Sequence, residues 1–310
     1  MRRVISLLCL LLAGVLSAAA LAGHQVDQLL REPEPVREIA GALPEDEAFS
    51  EAVSQMLVEQ TVSSLPDALG ALVPGGLEHL VGPVVDQVLN NERTIAAWDE
   101  VLQTTRQDYT AQLEGIFARG TTGDVRELDL SVELTPVTDA MTAPLREQAE
   151  SVLQLLPGLD AEDVEIPTPE FVVDIEAATD EGADPYTWAT AAAASQHWML
   201  FAGAAAVLAA LGLAIGPRRT RWIALAVGAL TAGALGLWIA TTAASPDLTH
   251  SEGMPQAAAA LLEHVQTRFT EWAQPSWWIF TGVCGFLAVM GVLAAVAVPR
   301  VQPRPVDWRA

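Results

Sequence analysis

Three stretches of this chain, residues 198–215, 222–243 and 276–298, contain no Asp, Glu, Lys or Arg, and a fourth, residues 4–22, is equally free of charge. A helix that is apolar all round has no face to offer water, so these stretches cannot be ordinary surface helices of a soluble domain. At 1.5 Å per residue, the 18 to 23 residues of the last three match the roughly 30 Å hydrocarbon core of a bilayer. The chain is therefore expected to cross a membrane four times.

The first stretch admits two readings. Arg2 and Arg3 precede it, and Ala20-Leu21-Ala22 fits a small-residue cleavage site, as in a signal peptide. Its length exceeds the usual signal core of about 7–15 residues and approaches that of a span, which favours an uncleaved signal anchor over residues 1–22. Cys9 lies too near the start to form a lipoprotein signal.

Charge is distributed as unevenly as hydrophobicity. Of 310 residues, 51% are hydrophobic, yet 39 acidic residues against 16 basic ones give a net charge of -23. Residues 23–195 hold 34 of those acidic residues and seven arginines. Every basic residue is Arg and none is Lys, a bias that reflects GC-rich codons rather than chemistry. The acidic balance excludes a nucleic-acid binder, and two cysteines exclude a disulfide scaffold.

The arginines also orient the chain. Arg2 and Arg3 precede the first stretch, Arg218, Arg219 and Arg221 fill the turn between the second and third, and Arg300, Arg304 and Arg309 follow the fourth. Since basic residues flank spans on the cytoplasmic side, the pattern predicts a multi-pass protein of the cytoplasmic membrane with both termini inside. Residues 23–195 then form an acidic extracytoplasmic domain, residues 196–299 carry the last three spans, and residues 300–310 are a cytoplasmic tail. Trp198, Trp277 and Trp278 are expected at the outer interface and Trp222 at the inner one.

Within residues 23–195, helix signals dominate the first half. Apolar residues recur at helical spacing over 47–65 (Phe49, Val53, Met56, Leu57, Val62) and 77–89 (Leu77, Leu80, Val81, Val84, Val85, Val88, Leu89), with Pro66 and Pro74-Gly75-Gly76 between them. Asn91 is a good N-cap for a longer helix with a stripe through Ile95, Trp98, Leu102, Thr105, Tyr109, Leu113 and Ile116. Val125–Leu130 alternates briefly, Thr135-Pro136 starts another helix, and the run from Pro169 to Ile175 is β-branched and aromatic. Two short strands beside helices predict an α+β domain, mainly helical, with a small β-sheet. Residues 182–195 are expected to lead into the second span as one helix. Residues 255–273, with Leu261, Val265, Phe269 and Trp272 on one face, predict an amphipathic outer helix.

Catalytic signatures are missing. There is no G-x-S-x-G, S-x-x-K or P-loop, and the spans contain no ionisable group of the kind a proton relay needs. The five histidines share no metal-ligand spacing; His197, His250 and His264 near the outer boundary, with Glu252 or Glu263, are the one arrangement that would make a metal site if they converged. The acidic clusters Glu45-Asp46-Glu47 and Glu162-Asp163-x-Glu165 read as solvated faces. Hence no catalytic, cofactor-binding or metal-binding residue is nominated, and the protein is expected not to be an enzyme. Gly212 and Gly216, and the ridge Gly228, Ala232, Gly236, Ala240, predict close helix packing within the chain.

The run Leu89-Asn-Asn-Glu-Arg-Thr-Ile-Ala-Ala-Trp98, with Arg106, the helix to Phe117, the loop 120–123, Leu128-Asp-Leu130 and Thr135-Pro136, resembles uncharacterised multi-pass membrane proteins of actinobacteria. The resemblance implies one N-terminal span, a large extracytoplasmic domain, three further spans and a Gram-positive, high-GC host, but no reaction and no site residues. The leading expectation is an envelope-associated interaction module whose partners are the lipid bilayer and a protein or cell-wall component outside the cell. The alternative is a small permease or an accessory subunit of a transport complex.

Overall fold

The apolar stretches do form helices. The protein is described by a computed structural model covering residues 1–46, 91–120, 131–133, 135–137, 172–174, 185–244 and 256–298. Helix α1 runs over Arg2–Arg31, α2 over Pro33–Ala40, α3 over Glu92–Arg119, α4 over Pro185–Ser195, α5 over Trp198–Ile215, α6 over Thr220–Thr241 and α7 over Gln256–Ala297. A 3-10 turn occupies Leu43–Glu45. Four helical segments are long and apolar enough to cross a membrane: α1, α5, α6 and the Glu263–Ala297 part of α7.

The expected α+β class is not what the chain adopts. Its described residues are overwhelmingly helical, and the strand content among them is two triplets, β1 (Ser131–Glu133) and β2 (Val172–Asp174). These pair antiparallel, with Val132 opposite Val173. A ladder of three residue pairs cannot form a layer against which helices pack, since independent stability requires more strands with a buried face. The small β-sheet is thus replaced by a helical fold with one short ladder. The physical reason is brevity: the β-branched run near Val172 ends within a few residues, whereas the helical periodicities extend over several turns.

Chain contacts divide the molecule into two units. The first comprises Met1–Gln25, Ala194–Ser245 and Ala273–Ala310; the second comprises Val26–Ala193 and Pro246–Trp272. The first unit is built around close backbone approaches. A β-carbon on Gly228 would stand 2.6 Å from the carbonyl oxygen of Leu10, and one on Gly14 would stand 2.7 Å from that of Gly228. Further along the same ridge of α6, a β-carbon on Gly236 would meet the Phe280 ring at 2.7 Å. Gly228, Ala232, Gly236 and Ala240 are all buried, so the predicted ridge is the seam along which α1 and α7 pack on α6. Ser6 closes one end of the α1–α5 contact by donating its hydroxyl to the Gly212 carbonyl at 2.6 Å.

The second unit packs through an apolar cluster and polar contacts at helix ends. Asn91 caps α3, its side-chain oxygen accepting from the Arg93 N–H at 3.0 Å. Leu30, Leu113, Ile116, Ala189 and Ala192 form its apolar cluster, flanked by Val26, Tyr109 and Tyr186. The buried stripe of α3 is Thr94, Trp98, Val101, Leu113 and Ile116. It is rotated slightly from the predicted one, in which Ile95 and Leu102 stood in place of Thr94 and Val101. Both predicted residues are half-buried at the margin.

Two boundaries also differ from expectation. Residues 182–195 do not merge into the second span, because α4 ends at Ser195 and Gln196-His197 form a turn before α5. Conversely, the amphipathic outer helix and the fourth span are continuous in α7, with Pro275 inside it. Proline removes one backbone donor, a local cost that spanning helices tolerate. The expected helices at 47–65 and 77–89, the strand at 125–130 and the remainder of the helix from Thr135 lie outside the described residues; 135–137 are helical.

Candidate functional site

The histidines were the only side chains for which the sequence offered convergence. His264 sits in the N-terminal half of α7, and its Nδ1 lies 2.8 Å from Asp46 Oδ2, just after the 3-10 turn. Its Nε2 is buried without a hydrogen-bond partner among the described residues. A carboxylate against one imidazole nitrogen orients the ring and leaves the other nitrogen as the chemically available one. That is half of a catalytic or metal-binding arrangement. Among the described residues, however, no group of three His, Cys, Asp or Glu side chains is placed to hold a metal ion. His250 and Glu252 lie outside them, and His197 belongs to the other unit.

Nothing in the spacing of the sequence indicated the Asp46–His264 pair. Asp46 stood within an acidic cluster read as a solvated face, yet only 27% of its side-chain surface is exposed.

The remaining polar contacts of the second unit fasten helix ends. The Leu30 carbonyl, in the last turn of α1, accepts from Arg106 Nη1 at 2.7 Å and from Thr110 Oγ1 at 3.0 Å. Such carbonyls have no partner within their own helix, so α3 completes the end of α1. Arg31 bridges Asp27 at 2.7 Å and donates to the Ala192 carbonyl at 3.3 Å, tying α4 to the same place. Arg37 forms a two-pronged pair with Asp99, at 2.6 and 2.7 Å. The hydrogen bond from the Arg37 guanidinium holds the Asp99 carboxyl below its ordinary pKa. Trp98 Nε1 donates to the Ala40 carbonyl at 2.8 Å. Burial raises the Tyr109 hydroxyl pKa, in keeping with a phenol that packs rather than titrates.

In the first unit, two groups of polar side chains lie at its ends, while Ser17 and Thr231 bond to carbonyls of their own helices. At one end, Gln25 donates from Nε2 to the Ala273 carbonyl at 3.0 Å and accepts from Trp277 Nε1 at 2.7 Å. Trp277 is turned inward and only 1% exposed, whereas Trp278 is exposed. His24 packs against Trp198 with the rings tilted and their centroids 4.5 Å apart. At the other end lie Arg218 and Arg219 in the α5–α6 turn and Arg221 in the first turn of α6, its guanidinium 5.2 Å from the Trp222 ring centroid. Both cysteines are free.

Comparisons with protein-family models, with curated proteins and with solved structures give no match. The resemblance to actinobacterial membrane proteins therefore gains no family support from them. Its general outline is present in the structure: one membrane-capable helix near the N-terminus and three towards the C-terminus.

Proposed function

We propose that this chain is a non-enzymatic integral protein of the cytoplasmic membrane, with both termini in the cytoplasm, that holds an acidic module outside the cell for interaction with an envelope protein or cell-wall component. The observation that carries the reading is the separation of charge from the spanning helices. The described residues of the first unit contain no Asp or Glu at all, and their arginines gather at the beginning of α1 and in the α5–α6 turn. Arginine at those positions favours the cytoplasmic side. The acidic residues of 23–195 then lie outside, where they keep the module soluble and suit it to basic partners or cations.

The packing of α1 supports its retention as an anchor. Ser6, Leu10, Ala13, Ala18 and Ala20 are buried, so cleavage after Ala22 would remove a helix on which α5 and α6 pack. Removing it would expose the Gly212 and Gly228 seams.

Cysteine-accessibility mapping tests the topology. In a background lacking Cys9 and Cys284, a membrane-impermeant maleimide applied to intact cells should label Ser50→Cys and leave Thr220→Cys and Ala310→Cys unlabelled. External labelling of either of the last two would overturn the orientation. Crosslinking from outside the cell that recovers no protein or wall component would remove the interaction role while leaving the topology standing.

A further inference from the structure

We propose that the arginine-rich end of the first unit is a binding site for the phosphate headgroup of an anionic phospholipid. This inference rests on the membrane reading of the four helices but not on the role of the acidic module. Arg218, Arg219 and Arg221 surround the start of α6, where the positive end of the helix dipole favours an anion. The Nε–H groups of Arg219 and Arg221 are both buried and have no hydrogen-bond partner. Buried guanidinium donors are costly to leave unmet, and the described residues of this unit supply no carboxylate to meet them.

Arg2 and Arg3 join this end. Ser6, one turn further along α1, reaches the Gly212 carbonyl. A β-carbon on Gly216 would meet both the Ser6 hydroxyl and the Arg221 side chain at 2.6 Å. Among the described residues of this unit, these five arginines thus have no carboxylate as a counter-ion.

The surroundings distinguish a lipid from a soluble phosphate. Ile215 and Ile223, on either side of the turn, are exposed, as are Leu211 and Val227 one turn deeper. An occupant with a charged head and apolar tails satisfies both the guanidinium donors and these side chains, which a free anion does not. Trp222, half-buried with the Arg221 guanidinium near its ring, suits the headgroup boundary of a bilayer.

The test is native mass spectrometry of the full-length protein in detergent, supplied with phosphatidylglycerol and phosphatidylcholine of identical acyl chains. Retention of phosphatidylglycerol in preference to phosphatidylcholine is expected. The variant R218Q/R219Q/R221Q should retain it about tenfold less well, and R218K/R219K/R221K should retain most of it, because near-surface charge supplies much of the attraction. Arg221→Gln alone, checked for an unchanged thermal melt, guards against a triple variant that misfolds, and should show a smaller loss. Equal retention of the two lipids, or unchanged retention in R218Q/R219Q/R221Q and Arg221→Gln, would overturn the proposal. So would displacement of phosphatidylglycerol by millimolar inorganic phosphate, which would make a soluble anion the occupant. Alkaline carbonate washing of cell membranes separates the two levels: release of the chain would sink the membrane reading itself, whereas a retained chain without lipid preference would sink this site alone.

Discussion

The two units solve the same packing problem with opposite materials. In the first, helices meet where side chains are smallest: Gly14, Gly228, Gly236 and Gly291 each bring a backbone or ring close to where a β-carbon would stand. In the second, larger apolar residues cluster, and arginines reach across to helix ends and carboxylates. The difference teaches which solvent each was built for. Lipid offers no hydrophobic drive between helices, so close van der Waals contact must supply it; water rewards apolar burial and solvates whatever charge remains at the rim.

The comparison breaks most sharply at Gly228. Replacement by Leu would force a side chain into the Leu10 carbonyl, a backbone atom that cannot swing aside. A loss of about 3 kcal/mol or more is expected, at or above the upper end of ordinary overpacking. Thermal unfolding in detergent checks it, and a stable G228L protein would remove the seam from the account. In the second unit, Trp98→Phe keeps most of the ring but leaves the Ala40 carbonyl without the Trp98 donor. A loss of about 1–3 kcal/mol follows from one orphaned acceptor, measurable by the same melts.

A smaller structural effect belongs to the exposed pair. Asp99→Asn should lower stability only slightly, because Arg37 and Asp99 are both open to solvent. Its value lies in the sign with pH. The folded pKa of Asp99 is depressed, so the pair stabilises above the unfolded carboxyl value of about 4 and loses that contribution as pH falls through the lower, folded value. The stability difference between wild type and D99N should therefore shrink towards acid and at high salt. A difference that grew instead would contradict the assignment. At the bottom of the scale is Gly282→Leu, on α7: among the described residues, nothing beyond its own helix backbone and chain neighbours lies within 4 Å of its would-be β-carbon, and no change in the detergent melt is expected. A large effect there would mean that this face is packed against something else.

Local features were the legible ones. The four charge-free stretches appear as helices, and Asn91 caps α3 as its side chain predicted. The small-residue ridge on α6 was readable because only close approach explains a small residue every fourth position. What could not be read was long in sequence and single in number. Arg106 meets Leu30 across 76 positions and Arg37 meets Asp99 across 62, and no periodicity announces such contacts. The α+β expectation failed because a β-branched run reports what side chains prefer, not whether enough neighbouring strands exist to form a layer. The inward turn of Trp277 went unread for a related reason: tryptophan near the end of a span suggests an interface, and no spacing showed that the half-buried Gln25 would accept its indole N–H.

Gln25 has a consequence of its own. Its amide is used in both directions, giving a proton to Ala273 and taking one from Trp277. Sliding α1 along α7 by one helical turn, about 5.4 Å, would forfeit both bonds at once in a region with few replacement partners. Small-residue grooves guide two helices together but are permissive along their length. One amide therefore acts as the stop on a rail, setting how far α1 is pushed through the bundle and which residue of each helix lies level with which.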